Sequence, residues 1–171
     1  MKNLIRSVFI LAILGSCRKE VQRTISDPPE GTYEVIFYNQ DNNIVFTRKG
    51  NAFYGINNGT QIRLDDPDPI QTFSTNPNEV VYIYLQLNYK LSSPATVDTS
   101  SFYGYVSQGR YIDDWGYKTQ SGELKITEIV QGKIRGEFTI TVTSVNSPNP
   151  NWGDHITIKG KFYARCGGYG C

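Results

Sequence analysis

From Thr32 onward apolar and polar residues alternate with a period of two, and no helical period is sustained anywhere in the rest of the chain. Successive side chains of an extended strand point to opposite faces, so this alternation predicts strands with one buried and one solvated face. The plainest case is Val80–Tyr89. Val81, Ile83, Leu85 and Leu87 share one face there, and Tyr82, Tyr84, Gln86 and Asn88 share the other. Further runs are expected at Thr32–Tyr38, Asn43–Arg48, Ala52–Asn57 and Thr60–Leu64, with Lys49-Gly50-Asn51 as a connection and Asn58-Gly59 as a tight-turn pair. The segment Asp65-Asp66-Pro67-Asp68-Pro69 cannot continue a central strand, because proline has no amide hydrogen to donate. Tyr103 and Tyr105 alternate as Tyr82 and Tyr84 do.

The C-terminal half reads as a meander of Gly122–Ile129, Ile134–Val145 and His155–Arg165, with a turn at Gln131-Gly132 and a proline- and asparagine-rich loop over 146–153. Its inward rows are Ile134, Gly136, Phe138, Ile140 and Val142, and then Ile156, Ile158, Gly160, Phe162 and Ala164. Each row sets a glycine just ahead of a phenylalanine. Gly136 and Gly160 are therefore expected to be bend points that let the sheet curl, with the nearby rings filling the gap. Twelve tyrosines against a single Met and a single His suit a sheet protein with large half-exposed aromatics.

The first residues are of a different kind. Lys2 and Arg6 precede an apolar run from Val8 to Leu14, then Gly15, Ser16 and Cys17. A basic start, a short apolar run and small residues form a secretory signal, far short of the roughly 20 residues a spanning helix needs. Leu14-Gly15-Ser16-Cys17 resembles the lipobox of bacterial lipoproteins. That resemblance implies cleavage before Cys17, acylation of its sulfur and new amino group, and a lipid anchor in the cell envelope. Arg18 stands where an aspartate would favour inner-membrane retention, which points to the outer membrane. The expected organisation is a signal peptide over 1–16, a lipidated Cys17 with a polar tether to residue 30, and a β domain over 31–171.

The lipobox and the glycine-punctuated meander over residues 119–164 together resemble the small β-rich lipoproteins of Bacteroidota, many of them in families of unknown function. The resemblance implies a single antiparallel β-sandwich or lipocalin-like barrel of about eight strands. It brings no catalytic residues with it.

Without residues 1–16, which carry Lys2 and Arg6 and no acid, the 17 basic and 16 acidic side chains become 15 and 16. Acids and bases are interspersed, as in Lys133-Arg135-Glu137, so the basic stripe of a nucleic-acid binder is missing. With Cys17 assigned to lipid, Cys166 and Cys171 remain in a compartment where disulfides persist, and they are expected to pair across the flexible Gly167-Gly168-Tyr169-Gly170. The other reading of this pair, a two-thiolate metal clip, lacks the four ligands of a closed zinc site.

The chain holds none of the common catalytic motifs. It has no Gly-x-Ser-x-Gly elbow, no His-Glu-x-x-His pair and no phosphate-cradling glycine loop, and His155 is its one histidine. No catalytic residue, metal or cofactor is assigned. Asp65-Asp66-Asp68 and Asp113-Asp114 are read as turn formers, with glycoside hydrolysis or calcium binding as the alternatives. The aromatics are the remaining signal. Trp115, Tyr117 and Trp152 lie beside loop glycines, Asp113 and Asp114 flank the first two, and Tyr82 and Tyr84 project from one strand face. Rings that stack on a pyranose, with polar groups beside them for its hydroxyls, would bind sugars. The same rings could instead pack a second core face. The sequence thus leads to a non-enzymatic binding or accessory module for glycans or another small polar ligand. The alternative is a structural or protein-interaction lipoprotein such as an assembly factor or inhibitor, with a hydrolase third.

Overall fold

The computed structural model describes residues 23–65, 82–108, 115–145 and 152–167. The signal segment and Cys17, the pair Asp113-Asp114 and Cys171 lie outside the described residues. All regular structure in the described chain is strand: β1 (Thr32–Tyr38), β2 (Ile44–Ile56), β3 (Thr60–Asp65), β4 (Tyr82–Leu87), β5 (Ala95–Asp98), β6 (Phe102–Gln108), β7 (Trp115–Val130), β8 (Lys133–Ser144) and β9 (His155–Cys166).

Eight of these strands close a ring in the order β1-β2-β3-β4-β6-β7-β8-β9, with β9 returning to β1 and every neighbouring pair antiparallel. The fold is therefore a closed antiparallel barrel, and the sandwich alternative falls away. β5 stands outside the ring. β7 is 16 residues long, so β6 occupies one edge of it over Trp115–Lys118 and β5 occupies the same edge further on, over Glu123–Ile126. Register shifts at Thr119/Ser121 and Ile126/Glu128 let this long strand turn with the wall, as bulges do.

A barrel of eight strands has an interior just wide enough for side chains to fill it. Here the inward rows do so: Val35 and Phe37, Ile62 and Leu64, Ile83, Leu85 and Leu87, Ile140 and Val142, and Ile156 and Ile158 form one buried apolar cluster. The inward rows expected for β8 and β9 are all buried.

Their glycines do a different job from the one expected. The β8–β9 register runs unbroken, and it sets Gly136 opposite Phe162 and Phe138 opposite Gly160. A Cβ on Gly160 would come within 2.6 Å of the Phe138 ring, and one on Gly136 within 2.7 Å of the Phe162 ring. Each ring thus lies over the glycine of the next strand, and the bulges fall on β7 instead. Gly50 also departs from expectation. Residues 49–51 form no turn, and β2 runs straight through them. A Cβ at Gly50 would collide with the Asp65 carbonyl and the Tyr33 ring, so glycine there answers a close approach.

Before β1, residues 23–31 run as a strap along the outside of the barrel. Ser26 Oγ donates to Glu34 Oε2 at 2.9 Å, Lys161 Nζ to Asp27 Oδ1 at 2.8 Å, and Lys133 Nζ to Glu30 Oε2 at 2.7 Å. Ile36 points outward between these contacts yet is fully buried. The polar segment expected to be a tether is, over these residues, docked on the barrel.

Candidate functional site

The aromatic residues singled out by sequence divide between the interior and the outer wall. Trp152 and Tyr117 do come together, with ring centroids 5.7 Å apart, but they are 2% and 0% exposed. Trp152 also packs on Phe37 and Phe46, each at 5.3 Å, and those two rings stack at 4.3 Å. The Tyr117 hydroxyl donates to the Gly153 carbonyl at 3.0 Å. This cluster plugs the end of the barrel where β3, β6 and β8 finish and β4, β7 and β9 begin, and it offers no open ring face. Tyr82 and Trp115 start β4 and β7 at that same end, but their side chains lie outside the described residues. Cys166 ends β9 and is not a free thiol.

Tyr84 belongs to the other group. Alternating with buried Ile83 and Leu85, it faces outward, and strand register places it in a row that crosses five strands: Phe53, Arg63, Tyr84, Tyr105, Lys118. The adjacent row reads Gly55, Gln61, Gln86, Tyr103. Neighbouring strands lie about 4.8 Å apart, so the longer row spans roughly 20 Å. Phe53, Tyr84 and Tyr105 are half-buried, and Tyr103 is 46% exposed. Tyr84 Oη donates to Gln86 Oε1 at 3.2 Å, which fixes a ring and an amide side by side. Partial burial raises the pKa of both Tyr84 and Tyr103, so both stay neutral phenols able to donate a hydrogen bond. A shallow cleft of about 140 Å³ opens between Phe53, Gln61, Arg63, Tyr84 and Gly167.

The charges on this wall are arranged around Phe53. The Arg63 guanidinium carbon lies 5.5 Å from its ring centroid and that of Arg165 5.3 Å. Arg63 Nε also meets Asp65 Oδ2 at 2.8 Å. Burial raises the pKa of Asp65, and Arg63 lowers it in part. The carboxylate beside these rows is thus committed to an arginine. Elsewhere on the barrel several charges are paired. Lys125 meets Glu137 at 3.1 Å, Lys161 meets Asp27 at 2.8 Å, Lys49 meets Glu34 at 3.2 Å and Arg135 meets Glu128 at 3.2 Å. His155, the one histidine, shares a 3.1 Å hydrogen bond with Thr143 Oγ1. Among the described residues no three His, Cys, Asp or Glu side chains gather to hold a metal.

Strand alternation alone marks Phe53, Gln61, Arg63 and Gln86 as outward. Their assembly into one surface depends on register between strands, which no single run of sequence contains. Comparisons with protein-family models, with curated proteins and with solved structures find no match to this chain.

Proposed function

We propose that this protein is a lipid-anchored envelope protein that binds a glycan, without catalysis, on its outer wall. The observation that carries this reading is the pair of adjacent outward rows that set the Phe53, Tyr84 and Tyr103 rings beside Gln61, Gln86 and Arg63. Ring faces remove the apolar face of a pyranose from water, and amides and guanidinium fork to its hydroxyls, so the two kinds of contact come from one rigid sheet. Strands hold such groups more accurately than loops do, and a preorganised site loses less entropy on binding. The lipobox-like run before Cys17 supports the anchor. If Cys17→Ala still partitions into detergent and takes up labelled fatty acid, the anchor is wrong. Cys166 is not a free thiol, which supports its pairing with Cys171. Two free thiols on titration of the unreduced protein would end that pairing.

The binding reading is tested by affinity electrophoresis of the purified chain in gels cast with soluble polysaccharides. Retardation by at least one polymer, reduced in Tyr84→Ala and in Tyr103→Ala, is the expected result. A chain that no polymer retards, or one whose retardation ignores both substitutions, removes the wall as a glycan site. It would leave the alternative, a surface for an envelope protein.

A further inference from the structure

The charge on the binding wall narrows the ligand, on the condition that the glycan-binding reading above holds. Two guanidinium groups flank one half-buried ring, with Arg63 at 5.5 Å and Arg165 at 5.3 Å from the Phe53 centroid. Arg63 has Asp65 as its counter-ion. Arg165, and Lys118 at the far end of the row, have no acid within 4.0 Å among the described residues. Elsewhere Lys49, Lys125, Lys133, Arg135 and Lys161 each meet a carboxylate, while Lys159 on β9 lies over the Tyr38 ring with no acid within 4.0 Å among the described residues. What sets the Phe53 site apart is that two guanidinium groups gather at one ring. Holding two like charges beside one ring costs electrostatic energy, which an anion placed between them removes.

We infer that the ligand is an acidic glycan, whose sugar stacks on Phe53 and Tyr84 while its carboxylate meets Arg63 and Arg165. The guanidinium fork matches a carboxylate with two parallel N–H···O bonds, and a sulfate ester offers the same acceptors. Gln61 and Gln86 serve the hydroxyls of the same sugar, and Lys118 meets the next charge along the polymer, about three strand spacings from Arg63. Both carboxylated and sulfated sugars carry the required anion, and the experiment separates them.

Gels cast with polygalacturonate, with chondroitin sulfate, with dextran sulfate and with plain dextran are run at low and at physiological salt. The expected result is strong retardation by polygalacturonate, weaker by the sulfated polymers, and little by dextran. Added salt should weaken it, because exposed charges are screened over about 8–10 Å. Losing charge-assisted hydrogen bonds in Arg63→Gln together with Arg165→Gln should weaken polygalacturonate binding by roughly tenfold or more. Arg63→Lys with Arg165→Lys, which keeps charge but not the fork, should restore only part of it. Both side chains are exposed on the surface, so the variants should melt as the wild type does, which a thermal scan checks. Equal retardation by dextran and polygalacturonate, still sensitive to Tyr84→Ala, overturns the acidic ligand and leaves the glycan site standing. A stronger response to the sulfated polymers that depends on the arginines assigns the anion to sulfate instead of carboxylate. Polygalacturonate binding unchanged by either arginine pair overturns the placement. No retardation by any polymer overturns the glycan reading and this inference together.

Discussion

Gly160→Val tests the reciprocal packing of glycines and rings between β8 and β9. A Cβ at this position would lie 2.6 Å from Cε1 and Cζ of Phe138 and 2.7 Å from Cγ1 of Val35. Carbon atoms settle at about 3.5–4.0 Å, so roughly 1 Å of movement is required in two directions at once. Neither neighbour is free to give it. Phe138 is 3% exposed and packs on Phe162 at 6.4 Å, and Val35 is fully buried in the strand on the other side. Valine adds two methyl groups to a Cβ that already clashes. The cost therefore belongs at the upper end of the 1–3 kcal/mol typical of overpacking. For a domain of about 140 residues that corresponds to a fall in Tm of roughly 6–12 °C. The assay is a thermal melt with urea denaturation beside it, and Thr139→Val is the control. Thr139 is exposed on the same β8 wall, where surface changes stay within about 0.5 kcal/mol. Trimming the ring should relieve the clash, so Gly160→Val with Phe138→Ala should destabilise by less than the sum of the two single changes. A Gly160→Val protein that melts at or above the wild type would refute the inward register of β9 and the barrel core built on it.

Three further outcomes follow from other parts of the fold. Trp152→Ala removes a ring packed on Phe37, Phe46 and Tyr117 and should cost about 3–5 kcal/mol in urea unfolding, whereas an open binding-platform tryptophan would cost almost nothing. Deleting residues 18–30 uncovers Ile36, now fully buried, and should lower stability by about 1.5–3 kcal/mol; an unchanged urea midpoint would show that the strap covers nothing. The Lys161 hydrogen bond and charge hold the Asp27 pKa below its ordinary 3.8. A carboxyl whose pKa is lowered on folding contributes stability above its unfolded pKa and loses it as pH falls through the folded value. Amide NMR shifts of Ile36 and Lys161 should therefore move below about pH 4 as the strap loosens, and shifts that stay flat down to pH 2 would remove this contact.

The strand faces were legible in sequence because a two-residue period leaves each side chain one of two directions. Val35, Ile83, Phe138 and Ile158 all point where alternation sends them. Three features were not legible. Gly50 looks like a turn residue, since nothing local reveals that the Asp65 carbonyl and Tyr33 ring approach it from other strands. β5 is four residues long, too short for a period, and its place is set by the free edge of β7. Trp152 sits among loop residues in sequence, yet it fills the barrel end because Phe37, Phe46 and Tyr117 arrive there from three other strands. The proposed binding wall shows the same limit. Tyr84 was a candidate on its own strand, but Phe53, Arg63 and Gln61 became its neighbours only through the registers of β2 with β3 and β3 with β4.

The strap connects the proposed anchor to the proposed site. In the ring of eight strands β1 and β9 stand opposite β6 and β4, so the strap on β1 and β9 and the row centred on Tyr84 face in opposite directions. Residues 23–30 are held by Glu34, Lys133 and Lys161, so they add little reach. If Cys17 carries the lipid, residues 18–22 are all that separates it from the strap. At about 3.5 Å per residue the span from Cys17 to Arg23 extends at most roughly 20 Å, less than the width of the domain. The strapped wall would then lie near the bilayer, and the Tyr84 and Tyr103 rings and Arg63 of the other wall would face the aqueous phase. The balanced charges under the strap suit that placement. Lys125 pairs with Glu137, Lys161 with Asp27 and Lys49 with Glu34, while Arg63 and Tyr84 stand on β3 and β4, away from the strap. A short anchored segment would then fix which side of the barrel remains available to bind.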